Sequence, residues 1–399
     1  MREFFPIIAS IIGICVIGAV EILLLYFLNR PWWQLRRVRW AAIGLPLFGI
    51  VAVLAWAAGV YWAVTWLETL GKYVAVLTFV CELALMASLP LSGIVHAINW
   101  LLTRIRVRHP KVISDEVDRK RRLFLKGAAA ALPAATVTLG AVGVGHALGP
   151  VNVYRREIRC HNLPTALDGL RVLHLSDLHL GPYVKLSDVE QILDDASGYQ
   201  PDLILITGDI ADDLTLLAGA LQLVAQTRPR LGAYASLGNH EHYRGLGAVR
   251  RIFDRSPVPL LIDESLAIQP SEGIKLNLAA VDDPRHMGAD HTRFFQSSLE
   301  EAARKADPAA FSILMSHRPD AFHHVDDYGM DLTLSGHTHG AQFGNGERSI
   351  LEPIMPKHFL WGHYTRGGKD LYTSAGVGHW FPFRLGCPQE APVIVLRKA

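Results

Sequence analysis

Cysteine is scarce, with four in 399 residues and none in CxxC spacing, which excludes a disulfide framework and a CxxC thiolate pair. Cys15 and Cys81 fall in apolar runs and read as inert packing residues, whereas Cys160 and Cys387 have a reason to pair only in an oxidising compartment. Net charge is nearly absent: 39 Lys and Arg against 37 Asp and Glu leave +2, so the total points to no partner. Residues 150–399 hold no basic stripe interleaved with aromatics, which argues against a nucleic-acid partner. Internal repeats and low-complexity tracts are missing, apart from one Ala/Gly-rich segment.

What the chain has in excess is apolar sequence, half of all residues, concentrated in the first third. Residues 4–28, 40–67 and 73–102 are each long and apolar enough to span a bilayer, so 1–103 reads as three transmembrane helices. Glu21 and Glu82 lie inside spans, as functional carboxylates or as groups paired or protonated within the bundle. Trp32, Trp33 and Trp40 suit an interfacial belt. Arg30, Arg36, Arg37 and Arg39 follow the first span, and the stretch 104–126 carries Arg104, Arg106, Arg108, Lys111, Arg119, Lys120, Arg121, Arg122 and Lys126. The turn between spans two and three carries only Glu68 and Lys72. The positive-inside rule places both Arg-rich loops in the cytoplasm and the N-terminus outside. Arg121 and Arg122, then Leu-Phe-Leu-Lys126 and the modestly apolar 127–149, are similar to a twin-arginine export signal placed internally; the alternative is a plain fourth helix with a basic flank. Gly145-His-Ala147 would suit a signal peptidase, but retention is expected. Either way 150–399 is delivered to the outer side of an inner (plasma) membrane.

From about 150 the composition is that of a soluble domain. Short β-rich runs at 171–175, 203–207, 233–237, 274–281, 311–315, 332–334, 371–373 and 393–396 alternate early with helical patterns at 186–197, 214–226, 295–306 and 320–325. Alternation followed by strand-rich sequence predicts a mixed α/β sandwich. In the run 171–181, Asp177 and His179 stand two residues apart where the apolar stretch ends, and i and i+2 point the same way on a strand. A carboxylate beside an imidazole suits Zn, Mn or Fe more than Ca or Mg. Alone, Asp-x-His is equally a turn with a capping Asp. Four further polar clusters follow apolar runs: Gly208-Asp-Ile-Ala-Asp212, Gly238-Asn-His-Glu241, Ser316-His-Arg318 and Gly336-His-Thr-His-Gly340. The carboxyl ends of strands are where α/β sheets hold ligands, and five such clusters in succession exceed what turn chemistry needs.

Taken together, DxH, GDxxD, GNHE, H and GHxH resemble the calcineurin-like metallophosphoesterase superfamily over about 165–399, closest to its membrane-associated bacterial branch. The resemblance implies a four-layer αββα sandwich behind the N-terminal helices and two divalent metal ions, Mn, Fe, Zn or Co. It implies that Asp177, His179 and His339 bind one ion and Asn239, His317 and His337 the other, with Asp209 bridging. His240 would protonate the leaving oxygen, oriented by Asp212, while a metal-bridging hydroxide attacks phosphorus in line. Where the family's protein phosphatases carry an arginine after GDxxD, this chain has Asp213, which disfavours a doubly charged monoester.

The expected activity is therefore that of a membrane-anchored, metal-dependent phosphoesterase hydrolysing a small-molecule or lipid-linked phosphodiester or pyrophosphate. A lipid-linked sugar-nucleotide pyrophosphohydrolase is one alternative, expected on the cytoplasmic face. A non-catalytic membrane regulator is another, against which every matched ligand position is filled. Glu241, His242, Tyr243 and Arg244 either line the substrate groove or form a solvated loop, and His323 and His324 lie on a predicted helix. The segment 282–286 either caps the site or is a plain polar loop, and His379, Arg384 and Glu390 fall in a C-terminal loop where substrate contacts are possible.

Overall fold

The computed structural model describes residues 5–108, 114–286, 291–379 and 381–399; Phe4 and Lys111, invoked above for a span and a basic loop, lie outside them. The chain divides into two compact units, Met1–His146 and Ala147–Ala399.

The first unit is helical: α1 (Phe5–Phe27), the short α2 (Arg30–Trp33), α3 (Arg36–Tyr61), α4 (Thr65–Arg108) and α5 (Asp115–Ala147). All but α2 are long and apolar enough to cross a membrane. The expected second span ends early, because Ala63 adopts φ 54° and the Val64 amide reaches back to the Gly59 carbonyl (2.8 Å), closing α3. Glu68, expected in a turn, instead occupies the first turn of α4, where the helix dipole favours a carboxylate. Gly71 lets α4 approach α3 closely, since a β-carbon there would run into the backbone at Ala52 and Trp56. Glu21 and Glu82 are buried inside this unit, with side-chain oxygens lacking hydrogen-bond partners. Helix α5 runs unbroken through Arg121 and Arg122, which pair with Asp118 one turn earlier at 2.6 and 2.7 Å.

The second unit holds two sheets. Sheet one has the order β1 (Asn152–Cys160), β11 (Glu390–Lys398), β2 (Arg171–Leu175), β3 (Leu203–Thr207), β4 (Ala233–Ser236). Sheet two runs β5 (Glu264–Ser271), β6 (Ile274–Ala280), β7 (Phe311–Met315), β8 (Leu332–Ser335), β10 (Lys369–Thr373), β9 (Gly362–Arg366). Strands β2, β3 and β4 are mutually parallel, as are β6, β7, β8 and β10. Alternate side chains divide the core. Val172, Leu203, Leu205, Ile313 and Leu334 meet between the sheets. Leu173, Ile204 and Ile206 face the other way, under α6 (Leu186–Ser197), α7 (Leu214–Gln226) and the later α9 (Leu246–Phe253). Ala279 and Leu314 pack beneath α10 (Thr292–Ala303) and the 3₁₀ turns Pro319–His323 and Val325–Tyr328. Helix, sheet, sheet and helix make four layers, and strands covered on both faces explain uniformly apolar runs such as 203–207.

Three strands escape the sequence pattern. β1, β5 and β9 include both edges of sheet two and one edge of sheet one, where polar side chains break the apolar signal. The helix expected at 320–325 is a pair of 3₁₀ turns, separated where His324 leaves helical geometry (φ −122°). Cys160 and Cys387 are free and buried in separate apolar clusters, so the pairing raised from the sequence does not form.

Candidate metal centre

The parallel strands β2, β3 and β4 of one sheet and β7 and β8 of the other end at one cleft. Each passes directly into one of the five polar clusters. The turns are tight: Asp177, His179, Asp209, His337 and His339 all have positive φ, between 47° and 69°. Non-glycine residues rarely hold that conformation, at a cost of about 1 kcal/mol or more each, so the surrounding bonds must enforce it. They do so through the Asp177 amide to the Gly208 carbonyl (3.1 Å) and the His179 amide to the Asp209 carbonyl (3.0 Å). Gly336 is needed for contact: a β-carbon there would collide with the Ser176 hydroxyl and the Asp177 carboxylate.

Two groups of three ligand atoms result, each within 4.8 Å of one another: Asp177, His179 and His339, and Asp209, His317 and His337. A third group, His179, Asp209 and His240, shares His179 with the first and Asp209 with the second. Asp209 Oδ2 lies 3.2 Å from His317 Nε2, 3.7 Å from His179 Nε2 and 3.8 Å from His240 Nε2. Asp177 Oδ1 lies 3.4 Å from His339 Nε2, and its carboxylate accepts the His337 amide at 3.0 Å. Asn239 is buried at the start of α8 (Asn239–Arg244), and its Oδ1 has no hydrogen-bond partner. Asn239, His240 and Glu241 thus sit on a short helix, not in the loop expected.

The donor set fits divalent cations. His179 Nε2 and Asn239 Oδ1 are buried without partners. His317 donates its Nδ1 proton to the Thr207 carbonyl (2.9 Å), which turns Nε2 inward. Burial, then the neighbouring His317 charge, holds His337 well below the ordinary imidazole value, and burial with Arg384 does the same to His339. Burial acts downward on His317 too, but Asp209 and Asp177 outweigh it and push the ring up to about 10. A histidine drawn that far toward its cationic form marks a cleft whose carboxylates call for positive charge.

Beside the ligands stands a second arrangement. Asp212 accepts from His240 Nδ1 at 2.5 Å and from His179 Nδ1 at 3.2 Å. Burial would raise the Asp212 carboxyl, but the two histidine bonds hold it well below the usual range. For His240 burial acts downward and the bond to Asp212 outweighs it, leaving the ring raised. Arg244, its side chain 45% exposed, also bonds Asp212 Oδ1 at 2.9 Å. Asp213 turns away to cap α7, accepting the Thr215 amide at 3.0 Å.

Several polar residues differ from expectation. Glu241 is buried; it accepts the amides of Asp209 (2.9 Å), Ile210 (2.8 Å) and Gly238 (2.8 Å), locking the β3 and β4 turns together. The Gly-x-x-Glu spacing of a capping box is the sequence signal that could have revealed it. Arg384 is fully buried and donates to His339 Nδ1 (3.2 Å) and to the carbonyls of Ala375 and Gly378 (both 2.6 Å). Glu390, also buried, joins Tyr154, Tyr372 and Trp361. His379 is buried beside Gln389. None of these three is exposed to contact substrate, and no local pattern reveals that Arg384 meets a histidine 45 residues earlier. Asp282 bonds His242 Nε2 at 2.7 Å, and Asp283 pairs with buried Arg318 at 2.8 Å. His323 bonds the Lys357 carbonyl at 2.8 Å.

The profile of the family described as Calcineurin-like phosphoesterase matches residues 170–341, which contain all five clusters. The "Uncharacterized metallophosphoesterase YkuE" of Bacillus subtilis (strain 168) is 29% identical over 291 residues, 69% of this chain and 97% of that protein. A "Transmembrane protein with metallophosphoesterase domain" of Bos taurus is 30% identical over 351 residues, 83% of this chain and 72% of its own. The "Uncharacterized metallophosphoesterase YkoQ" of Bacillus subtilis (strain 168) is 30% identical over 219 residues, 52% of this chain and 76% of its own.

Proposed function

We propose a reaction from one premise: the chain belongs to the calcineurin-like phosphoesterase family and is a metal-dependent phosphoester hydrolase. The reaction is hydrolysis of a phosphodiester, or of a pyrophosphate, at two divalent ions. The observation that carries it is the pair of ligand groups joined by the neighbouring His179 and Asp209, with His240 and Asp212 alongside.

In this reading Asp177, His179 and His339 hold one ion, Asn239, His317 and His337 the other, and Asp209 both. Bound cations would neutralise the phosphate and lower the pKa of a coordinated water. The protein's own contribution is positional. Asp212 holds His240 by Nδ1 and leaves Nε2 to donate a proton to the leaving oxygen. Arg244 bonds Asp212 with one nitrogen and keeps other N–H donors at the surface, placing a cation at the rim where Asp213 supplies none. A single arginine at the rim suits a singly charged diester better than a dianionic monoester.

The four apolar helices anchor the enzyme in a membrane, and the Arg-rich segments at 30–39 and 104–126 favour a cytoplasmic face for those loops. An even number of spans between an outer N-terminus and Ala147 then puts the catalytic unit outside. The test is turnover by the full chain in detergent with Mn, Zn or Fe, on bis(p-nitrophenyl) phosphate and on p-nitrophenyl phosphate. Metal-dependent turnover that favours the diester is expected. A monoester preference would overturn the substrate class, and metal binding without turnover of either would transfer the argument to a membrane regulator.

A further inference from the structure

The segment 343–360 leaves the turn that carries His339 and returns to it. Thr338, beside His339, donates its hydroxyl to the Leu360 carbonyl (2.5 Å), and the Gly344 amide bonds the Leu385 carbonyl (2.9 Å), next to Arg384. Arg348 braces the base, lying 4.2 Å over the Tyr364 ring and 3.4 Å from Glu352, whose charge it offsets. The root of this loop is therefore rigid and shared with the metal centre.

Its tip is apolar and faces water. Ile350 is 56% exposed and Ile354 77%, on either side of the first residues of the 3₁₀ turn Glu352–Ile354, and Pro353 and Pro356 are exposed with them. Apart from Leu148, which adjoins the end of α5, Tyr243 is the one other large apolar side chain so exposed among the described residues of the catalytic unit. Scattered single apolar side chains need no explanation, whereas two isoleucines and two prolines exposed within seven residues are a concentration found nowhere else among the described residues of this unit. Lys357 and His358 are exposed at its margin.

We propose that this tip is a lipid-docking element, with Ile350 and Ile354 entering the boundary between headgroups and acyl chains of a bilayer. The four apolar helices of membrane-spanning length make a bilayer part of this protein's surroundings. An apolar tip bordered by polar side chains, Lys357 among them, is the composition of segments that lie in that interface. Because the loop is rooted on the His339 turn, docking would present the metal centre to phosphates carried on lipids. That last step rests on the phosphodiester reading; the docking does not.

The test uses the full chain in phosphatidylcholine–phosphatidylglycerol vesicles, in a Cys15→Ser, Cys81→Ser background. An NBD fluorophore is placed at Ile354→Cys and, as control, at Glu190→Cys on the exposed face of α6. Nitroxide lipids are expected to quench the label at 354 at least about threefold more than at 190. Equal quenching overturns the proposal. Adding Ile350→Asp should return the 354 label to the control level; no change would mean that the label inserts by itself, which also overturns it. With both isoleucines changed to Asp, turnover of a lipid-borne diester should fall about tenfold while that of a soluble chromogenic diester holds. A complete lack of turnover by the unaltered chain would sink the enzymatic reading and leave the quenching result standing.

Discussion

Sheet one delivers carboxylates to the cleft, whereas sheet two delivers imidazoles. Asp177, Asp209, Asp212 and the Asn239 carboxamide follow β2, β3 and β4; His317, His337 and His339 follow β7 and β8. The two histidines that sheet one does contribute, His179 and His240, are both tied through Nδ1 to Asp212. The histidines from sheet two are anchored otherwise: His317 by the Thr207 carbonyl and His339 by Arg384. The negative charge of the centre thus belongs to one half of the sandwich and most of its imidazole nitrogen to the other. The centre exists only when the two sheets are packed together.

Removing charge should do more damage than removing nitrogen. Asp209→Asn keeps the size of the side chain but takes away the charge nearest to three histidines, and diester turnover should fall about a thousandfold or more. His240→Ala comes next, with kcat down about a hundredfold and metal content unchanged, because that ring is read as a proton donor and not a ligand. Loss of metal on elemental analysis of the His240 variant would instead make it a ligand. His337→Ala should weaken metal binding about 10- to 100-fold, with activity recovered at high metal concentration. A loss in His337→Ala that excess metal cannot rescue, and that equals the loss in Asp209→Asn, would erase the distinction between the sheets.

Much of this centre is legible in the sequence because it lies in strand-to-loop junctions, where an apolar run hands over to a polar motif within two residues. The strands at 171–175, 203–207 and 311–315 fall where periodicity places them, since both of their faces are buried. Edge strands such as β9, Gly-His-Tyr-Thr-Arg, have a solvated side and resemble loops. Arg384 and Glu390 were harder still: each is buried among partners distant in sequence, and a charged residue in a Pro/Gly-rich stretch looks like surface. The long apolar helices were legible from hydropathy, but not the turn at 62–64, which depends on a left-handed Ala63 and not on composition.

Glu241 sharpens the comparison from within sheet one. Its carboxylate takes no part in the ligand groups, yet three amides from the β3 and β4 turns converge on it, so it fixes where Asp209 and Asn239 stand. Glu241→Gln would turn an NH₂ toward at least one of those amides, leaving a buried donor unsatisfied at about 1–3 kcal/mol. The melting temperature of the full chain should fall accordingly. Metal affinity should drop by about tenfold, since Asp209 belongs to two of the three candidate ligand groups. The two losses ought to separate: excess metal should restore turnover while the thermal deficit of the metal-free protein persists. If Glu241→Gln lowers stability but leaves metal affinity untouched, Glu241 is only a structural cap, and the rigidity of sheet one's carboxylates must come from the strained turns themselves.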